Sequence, residues 1–130
     1  MTTKEVYDTL IGKSDLHSIP KLLDNVVIWN LYTDAYIQAY CNGGDTCIEI
    51  VSNSGFSGSL MHWHPDEGDI IDELYALGKK GNVLVLKKSI LGTSTFYLGP
   101  PEEYPFPDNR RLSIGKKKWD SGKLIYLVQK

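Results

Sequence analysis

The sequence predicts an α+β fold, a mainly antiparallel sheet of six to eight strands with helices packed on one face. Three observations carry this. Runs rich in β-branched and aromatic residues follow one another with short turn signals between them, which implies sequential, antiparallel neighbours. Only one long stretch, residues 66–77, repeats its apolar residues at helical spacing. The chain has 130 residues, 42% hydrophobic and 23% charged, which suits one globular domain that buries a core without metal or disulfide staples. No linker, repeat or low-complexity tract divides it, so residues 1–130 are expected to form a single domain.

The elements follow in chain order. Thr2 and Glu5 have capping-box spacing ahead of Val6, Tyr7, Leu10 and Ile11, and Gly12 is a natural stop, so a short N-terminal helix is expected. A further turn of helix is expected after Ser18-Ile-Pro20, because proline is tolerated in a first helical turn. Residues 26–32 and 35–41 have strand composition, with a turn at Thr33-Asp34. Asn42-Gly-Gly-Asp45 is a strong turn signal, since its residues tolerate positive φ. Strands are expected next at 47–51 and 59–64, around a loop holding Gly55 and Gly58.

Helix 66–77 places Ile70, Ile71, Leu74, Tyr75 and Leu77 on one face, with Pro65 at its entry and Gly78 and Gly81 at its exit. Asp66, Glu67 and Asp69 would occupy its first turn, where the helix dipole favours anions, and Lys79 and Lys80 follow its end. Residues 82–87 and 93–98 then predict a hairpin around 89–92. Pro100, Pro101, Pro105 and Pro107 mark a loop, and two more strands are expected at 116–119 and 123–128.

Several function classes are excluded. No run approaches the ~20 apolar residues that span a bilayer, and the charged start does not suit a signal peptide, so a soluble, cytoplasmic protein without a membrane partner is expected. Cys41 and Cys47 are too few for a disulfide framework and lack basic neighbours, so both are expected reduced, packed as small hydrophobes. Gly12-Lys13-Ser14 lacks the upstream glycine of a phosphate loop, which Tyr7 replaces. The run from Gly55 to Ser59 has serine where a nucleophile elbow needs glycine. No cofactor and no catalytic residue is assigned, and a non-enzymatic role is preferred.

Met61-His-Trp-His-Pro65 is the most distinctive local feature. On a strand His62 and His64 share one face while Met61 and Trp63 share the other, and two such imidazoles can hold one divalent ion. The pattern is similar to the first half of a cupin metal motif, with Gly58 and Asp69 in place. It departs in two respects: Asp69 falls in helical periodicity, and no histidine follows His64. A metal-binding protein or metal-dependent enzyme centred on His62 and His64 is therefore an alternative reading.

Charge is divided along the chain. Residues 1–78 hold 12 acidic and 3 basic residues, net −9; residues 79–130 hold 11 basic and 4 acidic, net +7, which together give the overall −2. The two parts either neutralise each other or address charged partners. Asp66, Glu67, Asp69, Asp72 and Glu73 place five carboxylates within eight residues, more than a helix cap needs. Such a field would attract a basic partner, though it also suits a merely solvated helix face. Arg110, Arg111, Lys116, Lys117, Lys118 and Lys123, with Trp119 and Tyr126, offer a second alternative, nucleic-acid binding; the overall pI of about 5.9 argues against it.

The run His62-Trp-His-Pro-Asp-Glu-Gly-Asp-Ile-Ile-Asp-Glu-Leu74 and its continuation Gly78-Lys-Lys-Gly-Asn-Val-Leu-Val-Leu86 resemble the small immunity proteins of bacterial toxin systems. That resemblance covers about a fifth of the chain. It implies capture of a basic toxin domain by carboxylates that occlude a nucleic-acid-cutting site. Asp66, Glu67, Asp69, Asp72 and Glu73 would supply the charge, and Trp29, Tyr32 or Tyr36 the aromatic anchors.

Overall fold

The computed structural model describes residues 1–53, 58–104, 119–120 (backbone only) and 124–130. Its elements are α1 (Thr3–Ile11), β1 (Lys21–Leu23), β2 (Val26–Trp29), β3 (Ala35–Asn42), β4 (Asp45–Ser52), β5 (Ser59–Trp63), α2 (Ile70–Gly78), β6 (Val83–Ser89), β7 (Gly92–Gly99), a 3₁₀ turn (Pro101–Glu103), β8 (Trp119–Asp120) and β9 (Leu124–Val128). The fold is α+β, with every strand pair antiparallel.

The expected capping box closes α1: the Thr2 hydroxyl accepts from the Glu5 amide, and the Glu5 carboxylate accepts from the Thr2 amide. Val6 and Leu10 then turn inward. The turn of helix expected after Pro20 is instead strand β1. Asp24 and Asn25 both take positive φ, 50° and 62°, and this two-residue turn folds β1 directly onto β2. Gly43 and Gly44, also at positive φ, make the same tight connection from β3 to β4, as expected.

Five strands form one sheet in the order β1-β2-β3-β4-β5, each beside its neighbour in sequence. Alternation along β3 and β4 sends Ala35, Ile37, Ala39, Cys41, Ile48 and Ile50 to one buried face. Both helices pack there, through Val6 and Leu10 of α1 and Ile70, Leu74 and Leu77 of α2. A second sheet, in the order β7-β6-β9-β8, joins the same core through Leu84, Leu86, Ile125 and Leu127. Its other face carries a smaller cluster of Val83, Val85, Tyr104 and Tyr126.

Helix α2 begins at Ile70, four residues later than the spacing predicts. Two long-range contacts hold its approach in a non-helical turn: the Thr46 hydroxyl donates to the Pro65 carbonyl, and Glu67 binds the Met1 α-amine. The Asp69 amide closes that turn on the Asp66 carbonyl at 2.8 Å. Asp66 and Glu67 therefore precede the helix; Asp69 is its N-cap, and Asp72 and Glu73 occupy the first turn. The loop around Gly55, the prolines 105 and 107, residues 116–118 of the strand expected at 116–119 and the basic residues Arg110, Arg111, Lys116, Lys117, Lys118 and Lys123 lie outside the described residues.

An acid-rimmed cleft between α2, β5 and β7

Among the described residues, β5 is an edge strand, paired with β4 alone, and β7 is the edge of the second sheet. Their approach, with the Thr95 hydroxyl 3.8 Å from the Met61 sulfur, leaves a cleft along one side of α2. Its volume is about 610 Å³. The walls are Met61 and Trp63 from β5, Thr95 and Leu98 from β7, and Ala76 and Leu77 from α2; Asp69, Asp72 and Glu73 stand over them.

Strand and helix periods together produce this arrangement. Met61 and Trp63 are two apart and share the face that pairs with Ile50 and Ile48. A bulge opposite Ile50-Val51 makes Leu60 the extra residue of β5 and turns it into the core. Asp69, Asp72, Glu73 and Ala76 recur at three- and four-residue spacing along one side of α2. The Trp63 indole N–H donates to Glu73 Oε2 at 2.5 Å, which fixes the ring as a cleft wall and leaves it half-buried.

The five carboxylates singled out in the sequence are divided by the fold. Asp69, Asp72 and Glu73 come together on the cleft; Asp66 is exposed and does not line it. Glu67 is drawn away by the Met1 α-amine at 2.6 Å. That hydrogen bond, then the amine's charge, hold the Glu67 carboxyl below its ordinary value and, reciprocally, raise the amine. Among the described residues, no lysine or arginine lies within ion-pair distance of Asp66, Asp69, Asp72 or Glu73. Three carboxylates facing an apolar floor, with no cation in its lining among the described residues, can hold a long cationic side chain whose methylenes lie against Trp63 and Met61.

His62 and His64 lie together, as alternation predicts, with ring centroids 6.0 Å apart on the exposed side of β5. His64 Nδ1 donates to the Thr46 carbonyl at 2.7 Å. Among the described residues, no three His, Cys, Asp or Glu side chains gather to hold a metal ion. His17, the third imidazole, bonds the Lys130 carbonyl at 2.6 Å through Nε2. Cys41 and Cys47 are free and buried, and burial raises both thiols above their ordinary value.

Two of the aromatic anchors implied by the resemblance to immunity proteins are corrected. Trp29 and Tyr32 are each only 1% exposed and belong to the core; Tyr36 is half-buried on the outer face of the first sheet. The aromatic that does reach the cleft is Trp63. Its signal was its phase on β5, opposite the two histidines. Thr95 and Leu98 carry no sequence signal, because only tertiary packing brings β7 beside β5.

Fold and cleft together define a two-sheet α+β domain with an anionic, apolar-floored groove. No helix among the described residues is long and apolar enough to cross a membrane. Comparison with protein-family models, with curated proteins and with solved structures yields no match.

Proposed function

We propose that this protein acts by binding another protein, through the cleft between α2, β5 and β7, and that the segment it receives is basic with apolar neighbours. One observation carries the reading: Asp69, Asp72 and Glu73 converge on an apolar cleft whose lining, among the described residues, contains no cation. Carboxylates in this setting steer a basic partner and form charge-assisted hydrogen bonds with it, while Trp63 and Met61 supply contact area. The more specific form is a toxin-neutralising immunity protein whose partner is a basic toxin domain. It draws on the resemblance of residues 62–74 and 78–86 together with the sign of the cleft.

The test is co-expression with the product of the adjacent upstream gene. The expected result is suppression of that product's toxicity and a salt-sensitive complex, lost in the Asp69→Lys/Asp72→Lys variant. A harmless product, or one that stays toxic and unbound, would overturn the toxin-neutralising form. A complex indifferent to both substitutions would overturn the cleft as its site.

A further inference from the structure

The hairpin that joins β6 to β7 ends in two aliphatic side chains with no cover among the described residues. Ile90 is 102% exposed and Leu91 95% exposed. A single exposed aliphatic is ordinary on a protein surface; two adjacent ones on a fixed turn form a knob. The turn is fixed because the Ser89 hydroxyl donates to the Gly92 carbonyl at 3.1 Å and accepts from the Leu91 amide at 3.2 Å. Gly92, at φ 126°, takes a conformation that other residues rarely adopt.

Two lysines precede the knob. Lys87 and Lys88 are exposed, neither lies within ion-pair distance of a carboxylate among the described residues, and no acidic residue occurs between positions 87 and 98. The sequence Lys87-Lys-Ser-Ile-Leu91 is thus a basic segment next to an aliphatic pair, the chemistry that the acid-rimmed cleft fits. We propose that the hairpin tip of one copy of this chain seats in the cleft of a second copy. Ile90 and Leu91 would lie against Met61, Trp63 and Leu98, and Lys88, on the opposite face of β6 from Lys87, would meet Asp69 and Asp72.

The occupant is the tip of a second copy because the hairpin tip cannot reach the cleft of its own chain. Leu91 and the cleft residue Thr95 are four positions apart on one hairpin, roughly 13 Å in extended chain, and that hairpin is paired along its length. Knob and socket are different surfaces, so the contact is between unlike patches; it either closes as a reciprocal pair or continues from copy to copy. The inference rests on the cleft being a site for basic, apolar segments, and it assigns the domain a self-associated form in which that site is occupied until an external partner displaces the tip.

Sedimentation of the purified chain across a concentration series tests this, using three samples: Ile90→Asp/Leu91→Asp, Asp69→Lys/Asp72→Lys, and an equal mixture of the two. Ile90, Leu91, Asp69 and Asp72 are all exposed, so both variants are expected to keep the fold. The expected result is self-association of the parent chain that weakens with salt, a loss of about tenfold or more in each variant alone, and recovery in the mixture, where an intact tip meets an intact cleft. A parent chain that stays monomeric throughout overturns the proposal, as does association that survives in the Ile90→Asp/Leu91→Asp variant. If that variant still associates while Asp69→Lys/Asp72→Lys does not, the tip is wrong and the cleft reading under Proposed function stands.

Discussion

Gly78 ends α2 with its backbone against the indole of Trp29. A Cβ there would stand 1.7 Å from Cη2 of Trp29 and 2.3 and 2.5 Å from two more ring atoms. The ring cannot retreat, since it is 1% exposed and its Nε1 donates to the Ser18 hydroxyl at 2.9 Å. Gly78→Ala is expected to lower stability by about 3 kcal/mol or more, as overpacking of a closed core does, read from the shift in denaturant midpoint. A loss under about 1 kcal/mol would show that ring and helix can separate. Tyr32 presents the opposite case. Its hydroxyl is buried without a hydrogen-bond partner among the described residues, and burial raises the phenol's pKa. Tyr32→Phe removes a desolvated polar group and keeps the ring, so the variant is expected to be as stable as the parent or about 1 kcal/mol more so. A destabilised variant would show that the hydroxyl has a partner.

At the scale of elements, the junction that delays α2 makes a prediction about pH. The Glu67 carboxyl is held below its ordinary 4.5, so its contribution is complete above that value and is lost as acid takes the pH down through the lowered one. The Met1 amine is raised above its ordinary 8.0, so its contribution is complete below that and is lost as the pH climbs through the raised one. Both groups are partly exposed, so the effect is small and screened by salt. Denaturant midpoints measured against pH are expected to fall on both sides of this window in the parent and to flatten in Glu67→Gln. Unchanged pH dependence in the variant would show that the bridge adds nothing. Elements held by near neighbours were legible in the sequence: the Thr2–Glu5 box, the Gly43-Gly44 turn, the body of α2, and the 89–92 hairpin. Elements set by distant partners were not. The start of α2 depends on Thr46 and Met1, which no local pattern reveals, and β1 is three residues long, defined by the conformation of Asp24-Asn25. The cleft divides in the same way. Asp69, Asp72 and Glu73 follow from helical spacing and Trp63 from strand alternation, while Thr95 and Leu98 enter through the packing of one sheet edge on another.

For the whole molecule, β6 decides whether two sheets behave as one body. It lies inside its sheet between β7 and β9 and is buried on both faces along Val83–Leu86. Leu84 and Leu86 enter the core that contains Val27, Trp29 and Ile37 of the first sheet; Val83 and Val85 face the smaller cluster with Tyr104 and Tyr126. Among the described residues the second sheet thus has only a smaller cluster beside the main core, and removing an inward side chain of β6 removes contact from both sheets at once. Leu84→Ala is expected to cost roughly 2–5 kcal/mol, the range for a fully buried leucine whose surroundings only partly collapse. Because the core is shared, unfolding should remain one transition, with tryptophan fluorescence and far-ultraviolet circular dichroism superimposing. In native-state hydrogen exchange, the slowest amides of β3 and β6 should lose protection by the same amount. A variant in which β6 amides exchange freely while those of β3 keep their parental protection would mean that the first sheet and its helices stand without the second, and the cleft between α2, β5 and β7 would then lie on a movable boundary.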